Sequence, residues 1–367
     1  MPVRDLIIVG AGPSGLSAAI ASKQRGLDYQ VIEQGALVNS IYHFPPQMVF
    51  FTTPELLEVG GLPFVSPYEK PTRTEALKYY RKVVDAYDLQ ITFEETVLSV
   101  AREPEEPRDL KDKGLFAVET RSTRGVCRVR HARNVVLAVG YYDHPNLLGV
   151  PGEDLPHVHH YYGESHPYYR QRIVVVGGGN SAAESALELH RAGAHVTLVH
   201  RWPELKSTIK YWVKPDIENR IKEGAIAARF NTCVAEIRPT SIIVRTPLDP
   251  STSSGSPQAE SRGEAEGQPR AASAGGWVPP RSKDDELPAD AVFLLTGYHP
   301  DYDLLTRAGV SLNDRGVPAY DADTFETNVG GLFVAGGVIS GKDTAPIFIE
   351  NGRFHGEKIV EVISARR

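Results

Sequence analysis

Cysteine is scarce in this sequence: Cys127 and Cys233 are the two that occur among 367 residues, and they stand far apart. Such a chain cannot build a framework of structural disulfides, so we expect it to work in a reducing compartment, the cytoplasm. It also cannot carry a dithiol spaced C-x-x-C, because the sequence contains no such pair. We expect both cysteines to be small, buried or half-buried side chains in strands.

Long apolar runs and an excess of positive charge are also missing. No run approaches the roughly 18 apolar residues of a membrane-spanning helix. The apolar start of the chain passes directly into a glycine-rich turn, which indicates a first strand rather than a signal peptide. A net charge of −6 argues against nucleic acid as a partner. The composition, 41% hydrophobic and 23% charged, is typical of a globular protein, and the length allows two domains.

Histidines are concentrated in one segment, HVHHYYGESH, at His157, His159, His160 and His166. A cluster of this kind raises the possibility of a metal site. However, no cysteine or acidic residue stands at the spacing of zinc ligands, and the flanking tyrosines suit a linker between domains. The sequence therefore predicts no metal site.

The chain does contain an internal repeat. LIIVGAGPSGLSAAIASKQRGLDYQVIEQG begins at Leu6, and IVVVGGGNSAAESALELHRAGAHVTLVHRW begins at Ile173. Each copy has a β-branched apolar run, a glycine-rich turn, an alanine-rich helical stretch, a further glycine and a second apolar run, with the same spacing. The turn positions are Gly10, Gly12 and Gly15 in the first copy and Gly177, Gly179 and Ala182 in the second.

This spacing has a physical reason. The first glycine permits the tight turn from strand to helix, the second lets the backbone approach a pyrophosphate, and a small third residue lets the helix pack on the strand. The start of the helix then presents unpaired N–H groups and a partial positive charge to the phosphates. The two copies predict two dinucleotide-binding sites, which also include the residues within the turns: Pro13, Ser14, Asn180 and Ser181.

The copies differ where the second strand ends, beside the adenosine ribose. The first copy ends in Glu33 and Gln34, and a carboxylate there accepts hydrogen bonds from ribose hydroxyls. The second ends in His200 and Arg201, with Lys206 close behind. A guanidinium attracts a 2′-phosphate that a carboxylate would repel. The difference predicts FAD for the first site and NADPH for the second; the alternative is that Arg201 is a solvated surface residue.

Two such sites predict an α/β protein with two Rossmann-like dinucleotide-binding domains, the second inserted in the first. We expect residues 1–152 and 298–367 to form the FAD domain and residues 153–297 the NADPH domain. Between 250 and 285 the sequence is rich in small and polar residues and has no apolar period. This composition predicts a disordered loop, either a tolerated insertion or a regulatory, partner-binding segment.

These motifs carry a resemblance. GAGPSG, IEQG, GGGNSAAE with the following HR, and LFVAGG…ENGR resemble the thioredoxin-reductase-like FAD- and NADPH-dependent disulfide oxidoreductases over almost the whole chain. More narrowly, VNSIYHFP, FFTTPELLEVGGLPF, HHYYGESHPYY and IFIENGRFHG resemble the bacillithiol disulfide reductase family. The resemblance implies electron transfer from NADPH through FAD to a low-molecular-weight disulfide such as bacillithiol disulfide, or to a small redox protein, in an enzyme that forms homo-oligomers.

The resemblance also implies further contacts with FAD. Asn39, Ser40 and Ile41 match a segment that lies along the flavin, and Thr52 matches one that bonds the flavin or lines the substrate side. The remaining positions match glycine turns that follow strands of the FAD domain and the segment after the last turn: Gly140, Gly336, Gly337, Ile347 and Phe348.

Three departures from these families bear on the chemistry. The segment before the second glycine turn, where thioredoxin reductases carry C-x-x-C, has no cysteine. Many bacillithiol disulfide reductases have a cysteine inside the first glycine turn, where this chain has Ser14, and a serine cannot form a mixed disulfide. Gly337 stands where related reductases have an Asp that bonds the ribityl chain of the flavin, although the narrower family also tends to lack it.

No side chain stands out as the catalytic acid or base. His43, with Tyr42 beside it, and His355 are candidates because imidazole titrates near neutral pH, and Ser14 is a further candidate position. Three other functions remain open: a ferredoxin- or flavodoxin-type NADP reductase, a flavin monooxygenase, and a redox sensor in which the nucleotides regulate rather than react.

Overall fold

The computed structural model describes residues 3–103, 114–247, 282–343 and 347–367. The chain divides into two compact units, here called the outer unit (Met1–Asn146 with Gly297–Arg367) and the inserted unit (Leu147–Thr296). In the described residues of the outer unit the elements are β1 (Arg4–Val9), α1 (Pro13–Gln24), β2 (Tyr29–Ile32), α2 (Asn39–Tyr42), α3 (Arg73–Tyr87), β3 (Ile91–Thr92), β4 (Glu95–Arg102), β5 (Phe116–Ser122) and β6 (Cys127–Leu137).

The inserted unit continues the chain with β7 (Val158–His159), β8 (Arg172–Val176), α4 (Asn180–Arg191), β9 (His195–Val199), α5 (Lys214–Lys222), β10 (Ala227–Arg229), β11 (Cys233–Arg238), β12 (Ser241–Pro247), β13 (Ser282–Pro288) and β14 (Ala291–Leu294). The chain then returns to the outer unit with α6 (Tyr302–Arg307), β15 (Leu332–Val334), α7 (Ile349–Gly352) and α8 (His355–Ala365). Short 3₁₀ turns lie at Pro54–Leu57, His166–Tyr168 and Gly336–Ser340.

A seven-stranded sheet forms the centre of the outer unit, in the order β3-β2-β1-β6-β5-β4, with β15 added to β6. β1 pairs in parallel with both β2 and β6, and its residues Leu6, Ile7 and Ile8 are fully buried, as expected of a strand covered on both faces. β6 is long enough to pair with β5 along its first half and with β15 along its second half. The carboxyl ends of β1, β2, β6 and β15 therefore meet at one edge of the sheet.

Small residues let two helices of the outer unit approach closely. α1 buries Ala18 and Ala19 completely, and α8 meets it at Gly356. A Cβ at Gly356 would lie 2.3 Å from the backbone nitrogen of Ala18, which no side chain can occupy. This contact fixes α1, and with it the glycine turn from which the helix starts.

The inserted unit repeats the arrangement in smaller form. Its five-stranded sheet has the order β10-β9-β8-β14-β7, and all its strands run parallel. A separate three-stranded antiparallel sheet, β11-β12-β13, follows it. α4 buries its alanine face against β8, which precedes the glycine turn, and β9, which follows the helix. This face includes Ala182, Ala183 and Ala186.

The unit boundaries differ slightly from the expected 152/153 and 297/298. Residues 147–152 belong to the inserted unit because the backbone N–H of Ile237 donates to the carbonyl of Pro151 and because Gly152 lies directly against Ile237. Gly297 belongs to the outer unit, where its carbonyl accepts a hydrogen bond from the N–H of Asn146.

Two expectations about segments are wrong. The predicted disordered loop 250–285 ends too late, because Ser282–Asp285 lie in β13 and pair with β12; its remaining residues, 250–281, lie outside the described part of the chain. The histidine-rich segment is not a linker between domains. Val158 and His159 form a strand of the inserted unit, and Tyr162 is buried in the core of that unit.

The cysteines lie in strands, as expected, but differ in exposure. Cys233 at the start of β11 is half-buried, whereas Cys127 at the start of β6 is exposed, contrary to expectation, because β6 begins there beyond the covered part of the sheet. In the described ranges, no group of three or more His, Cys, Asp or Glu side chains is arranged to hold a metal ion. Across the same ranges, no helix combines the length and apolar character that crossing a membrane requires.

Candidate functional site

The first glycine turn is packed tightly at two positions and open at the third. Gly10 has φ +103°, and a Cβ there would lie 2.5 Å from the carbonyl oxygen of Ala138; a Cβ at Gly15 would lie 2.0 Å from that of Gly10. A Cβ at Gly12 would meet nothing within 4 Å. The packing of the protein explains the first and third glycines, whereas the second keeps clear the space in front of α1, where a pyrophosphate would bind.

Glu33, after the last residue of β2, is held at this edge of the sheet by backbone donors. Its Oε2 accepts from the N–H of Ala11 at 2.7 Å and its Oε1 from the N–H of Gly35 at 2.9 Å. Burial raises the pKa of Glu33, and these two N–H groups oppose that rise. Since each carboxylate oxygen has a second lone pair, Glu33 can still accept hydrogen bonds from ribose hydroxyls, which fits the adenosine end of FAD.

The segment after Glu33 folds back on itself through Asn39. The Asn39 side chain lies over Gly35, where a Cβ would come within 2.4 Å of its Oδ1. The carbonyl of Asn39 accepts a hydrogen bond from the N–H of His43 and lies 2.9 Å from the Nδ1 of that ring. His43 and Tyr42 are exposed, Ser40 is half-buried, and Ile41 turns into the core. Of this segment, Ile41 could therefore meet a flavin only through its backbone.

Arg73 in α3 holds this segment from outside. Its Nε donates to the carbonyl of Ile41 at 3.1 Å, and its Nη2 donates to the carbonyl of Tyr42. The guanidinium also stands over the Tyr42 ring, 5.6 Å from the centroid. Arg73 therefore positions α2, a role that sequence reasoning missed because Arg73 belongs to no motif.

Gly336 and Gly337 in the closing turn are both needed because side chains stand against them. Gly336 has φ +72°, and a Cβ there would lie 2.3 Å from the Oγ of Ser14. At Gly337 a Cβ would lie 2.6 Å from the ring of Tyr141. The place that an Asp side chain would take at position 337 is thus filled by an aromatic ring.

Two of the acid–base candidates are engaged in the structure. Ser14 Oγ donates to the carbonyl of Gly352 at 2.9 Å. The Nδ1 of His355 accepts from the N–H of Gly336 at 3.1 Å, its ring stacks on Phe325, and burial lowers the pKa of His355 to about 4. A neutral imidazole used as a backbone acceptor is a structural group, so His43 is the better candidate for proton transfer.

The remaining positions expected to contact FAD lie in the outer unit. The Phe348 N–H donates to Asn351 Oδ1 at 2.9 Å, so this backbone donor is already used. Gln34 donates from Nε2 to Asp143 at 2.8 Å. The others are half-buried: Pro13, Thr52, Gly140 and Ile347.

The second glycine turn repeats the first. Gly177 has φ +151°, and a Cβ there would lie 2.5 Å from the carbonyl oxygen of Leu295. At Gly179 the nearest atom to a Cβ is the Lys206 Cδ, at 4.0 Å. The third position holds Ala182, which is fully buried and packs against Gly177. Ser181 is exposed in the first turn of α4. As in the outer unit, the space in front of the helix is open at the second glycine.

His200 does not lie where a phosphate ligand would. Its ring is buried under the turn, where a Cβ on Gly178 would come within 2.2 Å of Cε1. Burial, together with Arg201 and Lys206, lowers the pKa of His200 to about 4, so the ring is neutral at physiological pH. The expectation that His200 contributes to the cationic sugar end is therefore wrong: His200 supports the turn from below.

Arg201 and Lys206 supply the charge. Both are exposed, and the Arg201 guanidinium stands 5.7 Å from the centroid of the Trp202 ring. Within the described residues no carboxylate pairs with Arg201. The Lys206 N–H donates to the carbonyl of Gly178 at 3.0 Å, which brings that residue to the turn. Asn180 uses its side chain to hold the following loop, accepting from the N–H of Lys210 at 2.9 Å.

The structure contains two glycine turns of one design, each open in front of a helix. The sugar end is acidic in one unit and cationic in the other. Together these features define a class of protein. It is that of the oxidoreductases that take electrons from a nicotinamide dinucleotide and hold a second, flavin-bearing dinucleotide.

The sequence matches the pyridine nucleotide-disulphide oxidoreductase family over residues 7–254 and 280–336, and the chain belongs to this family. Bacilliredoxin reductase Bdr of Bacillus subtilis (strain 168) is 39% identical over 98% of this chain and 97% of its own length. Solved structures of bacillithiol disulfide reductase Bdr (YpdA) from Bacillus cereus and Staphylococcus aureus are 36% and 34% identical, with TM-scores of 0.86 and 0.82, and both cover all of this chain and of their own.

The protein is thus a flavin-dependent oxidoreductase whose cofactors are FAD and NADPH. The residues present fit both groups. Gly12 and Gly179 leave open the space that a pyrophosphate needs, Glu33 suits a ribose without phosphate, and the exposed Arg201 suits one with it.

Proposed function

We propose that the protein reduces a disulfide of bacillithiol, taking electrons from NADPH through FAD, without a C-x-x-C dithiol of its own. The observation that carries this proposal is the pair of sugar ends, acidic at Glu33 and cationic at Arg201, in a chain whose relatives of nearly equal length are named for bacillithiol disulfide and bacilliredoxin. A cysteine relay is not needed, because the two cysteines stand in different units and neither adjoins a glycine turn.

The protein's contribution is to bind and orient the cofactors, and FAD when bound supplies the conversion of a hydride into electrons for the acceptor. The N-termini of α1 and α4 bind the two pyrophosphates, and in neither helix does a side chain cap the first turn within the described chain. Glu33 accepts from the flavin adenosine ribose, and Arg201 with Lys206 binds the 2′-phosphate of NADPH.

Reduction of a disulfide to two thiols consumes two electrons and two protons. NADPH provides the electrons and one of the protons as hydride, so the other proton must come from an acid at the acceptor site. His43 is exposed in the segment that follows Glu33, and with its Nδ1 bonded to the Asn39 carbonyl its Nε2 faces outward. We assign it the role of protonating the leaving thiolate.

Ser14 has no role in electron transfer under this proposal. Its hydroxyl is bonded to Gly352, and a thiol at this position would point away from Gly12, toward the contact between Gly336 and Gly352. We therefore expect the Ser14→Cys variant to reduce the acceptor at about the wild-type rate.

The electrons can pass to bacillithiol disulfide itself or to a bacilliredoxin that carries a mixed disulfide. The name of the Bacillus subtilis relative favours a small redox protein, a bacilliredoxin carrying a mixed disulfide, over the free disulfide. Both acceptors present the same sulfur–sulfur bond, so one chemistry at His43 serves either. We further infer that the protein works in the cytoplasm, because Cys127 and Cys233 are both unpaired thiols, and that it forms a homo-oligomer, as enzymes of this kind do.

Stopped-flow reduction followed by an acceptor panel tests the proposal. NADPH should bleach the bound flavin much faster than NADH, and the reduced protein should then be reoxidised by bacillithiol disulfide or bacillithiolated bacilliredoxin. Cystine, ferredoxin and oxygen serve as comparison acceptors. Faster reoxidation by ferredoxin would identify an NADP reductase of the ferredoxin type. Fast reoxidation by oxygen that consumes a co-substrate would identify a monooxygenase, and no acceptor at all would indicate a sensor.

A further inference from the structure

Asp143 is a carboxylate that no motif predicts and that the proposed function has not used. It lies in the loop after β6, at the same sheet edge as Glu33, which follows β2 on the other side of β1. Its Oδ2 accepts a hydrogen bond from Gln34 Nε2 at 2.8 Å, and a second bond joins it to the side chain of Asn39. A single carboxylate thus accepts hydrogen bonds from two of the residues expected to contact FAD.

The hydrogen bonds define which way the Asn39 amide points. Its Oδ1 accepts from the N–H of Ala36 at 3.2 Å, so the Nδ2 is the atom left to donate to Asp143. Gly35 leaves the room for this arrangement, because a Cβ there would displace the amide. The amide is therefore locked between the Ala36 backbone and the Asp143 carboxylate.

The same asparagine orients His43. Its carbonyl lies 2.9 Å from the His43 Nδ1, so Nδ1–H donates to it and Nε2 is turned away from the backbone. The groups Asp143, Asn39 and His43 form a continuous hydrogen-bonded series: carboxylate to amide, then carbonyl of the same residue to imidazole. Tyr142, next to Asp143, also contacts this segment, with its ring edge-on to Phe44 at 5.0 Å.

The charged groups around Asp143 come from three segments. His144 on its own loop and His43 after α2 interact with it favourably, and Glu33 at the end of β2 repels it. Asp301 lies 3.8 Å from the His144 ring and so competes for that histidine. Burial raises the pKa of Asp143, and both histidines and both amide donors oppose that rise.

We propose that Asp143 is a positioning residue, which through Asn39 holds α2 in place and keeps the imidazole of His43 oriented, with its Nδ1 on the Asn39 carbonyl. The inference rests on the proposed function for the role of His43 as the proton donor. In that role the bond between the two sulfurs breaks, one sulfur receives the hydride equivalent from the NADPH and FAD pair, and the other leaves as a thiolate. That thiolate takes the proton from His43, and solvent reprotonates the ring.

The test compares Asp143→Asn with Asp301→Asn in the holoenzyme. Asparagine at 143 keeps the size but replaces one of the two acceptor oxygens by a donor, so it no longer offers an oxygen to both Gln34 and Asn39. The control removes a carboxylate that faces His144 and keeps the helix cap of α6, since Asn caps well. Histidine nitrogen-15 NMR identifies which nitrogen of the neutral His43 ring carries the proton, with the signal assigned through His43→Gln. We expect the Nδ1–H form in the wild type and in the control, and a mixture of both forms in Asp143→Asn.

Kinetics provide a second readout. In Asp143→Asn kcat for disulfide reduction should fall several-fold, because the proton donor is less often oriented, whereas KM for the disulfide should change little. The rate of flavin reduction by NADPH should not change, because that half-reaction needs no proton from His43. Asp143→Ala leaves Gln34 and Asn39 without their acceptor, so it should also bind FAD several-fold more weakly, as measured by flavin fluorescence.

The outcomes separate the two ideas. An unchanged His43 tautomer in Asp143→Asn, with FAD still bound, would overturn the positioning role whatever the acceptor is. If the wild-type protein reduced no disulfide but the tautomer changed as expected, the positioning role would stand and the proposed function would fail.

Discussion

Arg201 and His200, adjacent at the end of β9, have opposite surroundings. Arg201 is exposed and, within the described chain, unpaired, whereas His200 is buried under Gly178 and carries no charge at neutral pH. We therefore expect selection between NADPH and NADH in this protein to depend on Arg201, helped by Lys206, and not on the histidine beside it.

The Arg201→Ala variant should lose its preference for NADPH. A charge-assisted hydrogen bond to phosphate contributes about 1.5–3 kcal/mol, so we expect KM for NADPH to rise roughly tenfold to a hundredfold, with little change for NADH. Stopped-flow flavin reduction at varied nucleotide concentration measures both. Lys222→Ala, which removes an exposed cation from α5, is the matched control; an equal effect there would mean that only general charge attraction is at work.

At the scale of elements, the two strand–turn–helix units use their glycines for different purposes. The first glycine of each turn avoids a clash with the backbone of a neighbouring segment, at Ala138 in one unit and Leu295 in the other. The second glycine, Gly12 or Gly179, has ordinary extended backbone, and no atom of the described residues lies near enough to exclude a side chain. We infer that this glycine leaves room for the pyrophosphate of the bound dinucleotide.

A matched pair of substitutions tests this distinction. Gly12→Ala should fold but lose FAD, and Gly179→Ala should keep FAD but lose NADPH, each by tenfold or more in affinity, because the added methyl occupies the pyrophosphate space. Circular dichroism, flavin absorbance and NADP⁺ titration calorimetry provide the readouts. Gly163→Ala, at another open position with unstrained backbone, should affect neither nucleotide. Loss of folding in Gly12→Ala would contradict the assignment.

The hairpin β12–β13 allows a test of the segment between its strands. Pro247 and Ser282 are paired partners at its end, so a turn of about four residues can connect them. Replacing residues 248–281 by such a turn should leave FAD content, NADPH preference and acceptor turnover within about twofold of wild type if the segment is a tolerated insertion. A gain or loss of turnover beyond that range would favour the regulatory alternative.

For the whole molecule, buried titratable groups make stability depend on pH in opposite directions. His200 has its pKa lowered to about 4 by burial, so the stability that its neutral form provides is full above about pH 6.5 and is lost as the pH falls toward 4. Glu184 in α4 has its pKa raised to about 7 by burial and by Glu188, and no hydrogen-bond partner reaches its Oε1 among the described residues. Its surroundings therefore destabilise the charged carboxylate. The resulting loss of folding stability disappears as the pH falls from about 7 toward the ordinary pKa of a glutamate.

Melting temperatures measured from pH 5 to pH 8 should separate these two effects. Relative to wild type, His200→Gln should gain a few degrees as the pH falls from 7 to 5, and Glu184→Gln should lose its advantage over the same range. His195→Gln, an exposed position in β9, is the control and should follow wild type at every pH. Parallel curves for all four proteins would contradict both assignments.

The features that the sequence determined are those set by interactions between residues close together in the chain. The two glycine turns and the helices after them were predictable, because strand, turn and helix are consecutive and their spacing is set by local geometry. The resemblance of short motifs such as GAGPSG and GGGNSAAE was enough to indicate FAD, NADPH and a disulfide reductase.

Only the tertiary structure decided what surrounds those residues. The sequence places His200 at a sugar end, but the ring is buried because the turn of Gly178 lies over it. The spacing of the motifs does not predict that Asp143, beyond the end of β6, bonds Gln34 after β2 and Asn39 in α2. It also does not predict that the Tyr141 ring fills the space at Gly337. These contacts join segments far apart in the chain, and parallel pairing of β1, β2 and β6 brings them to one edge of the sheet.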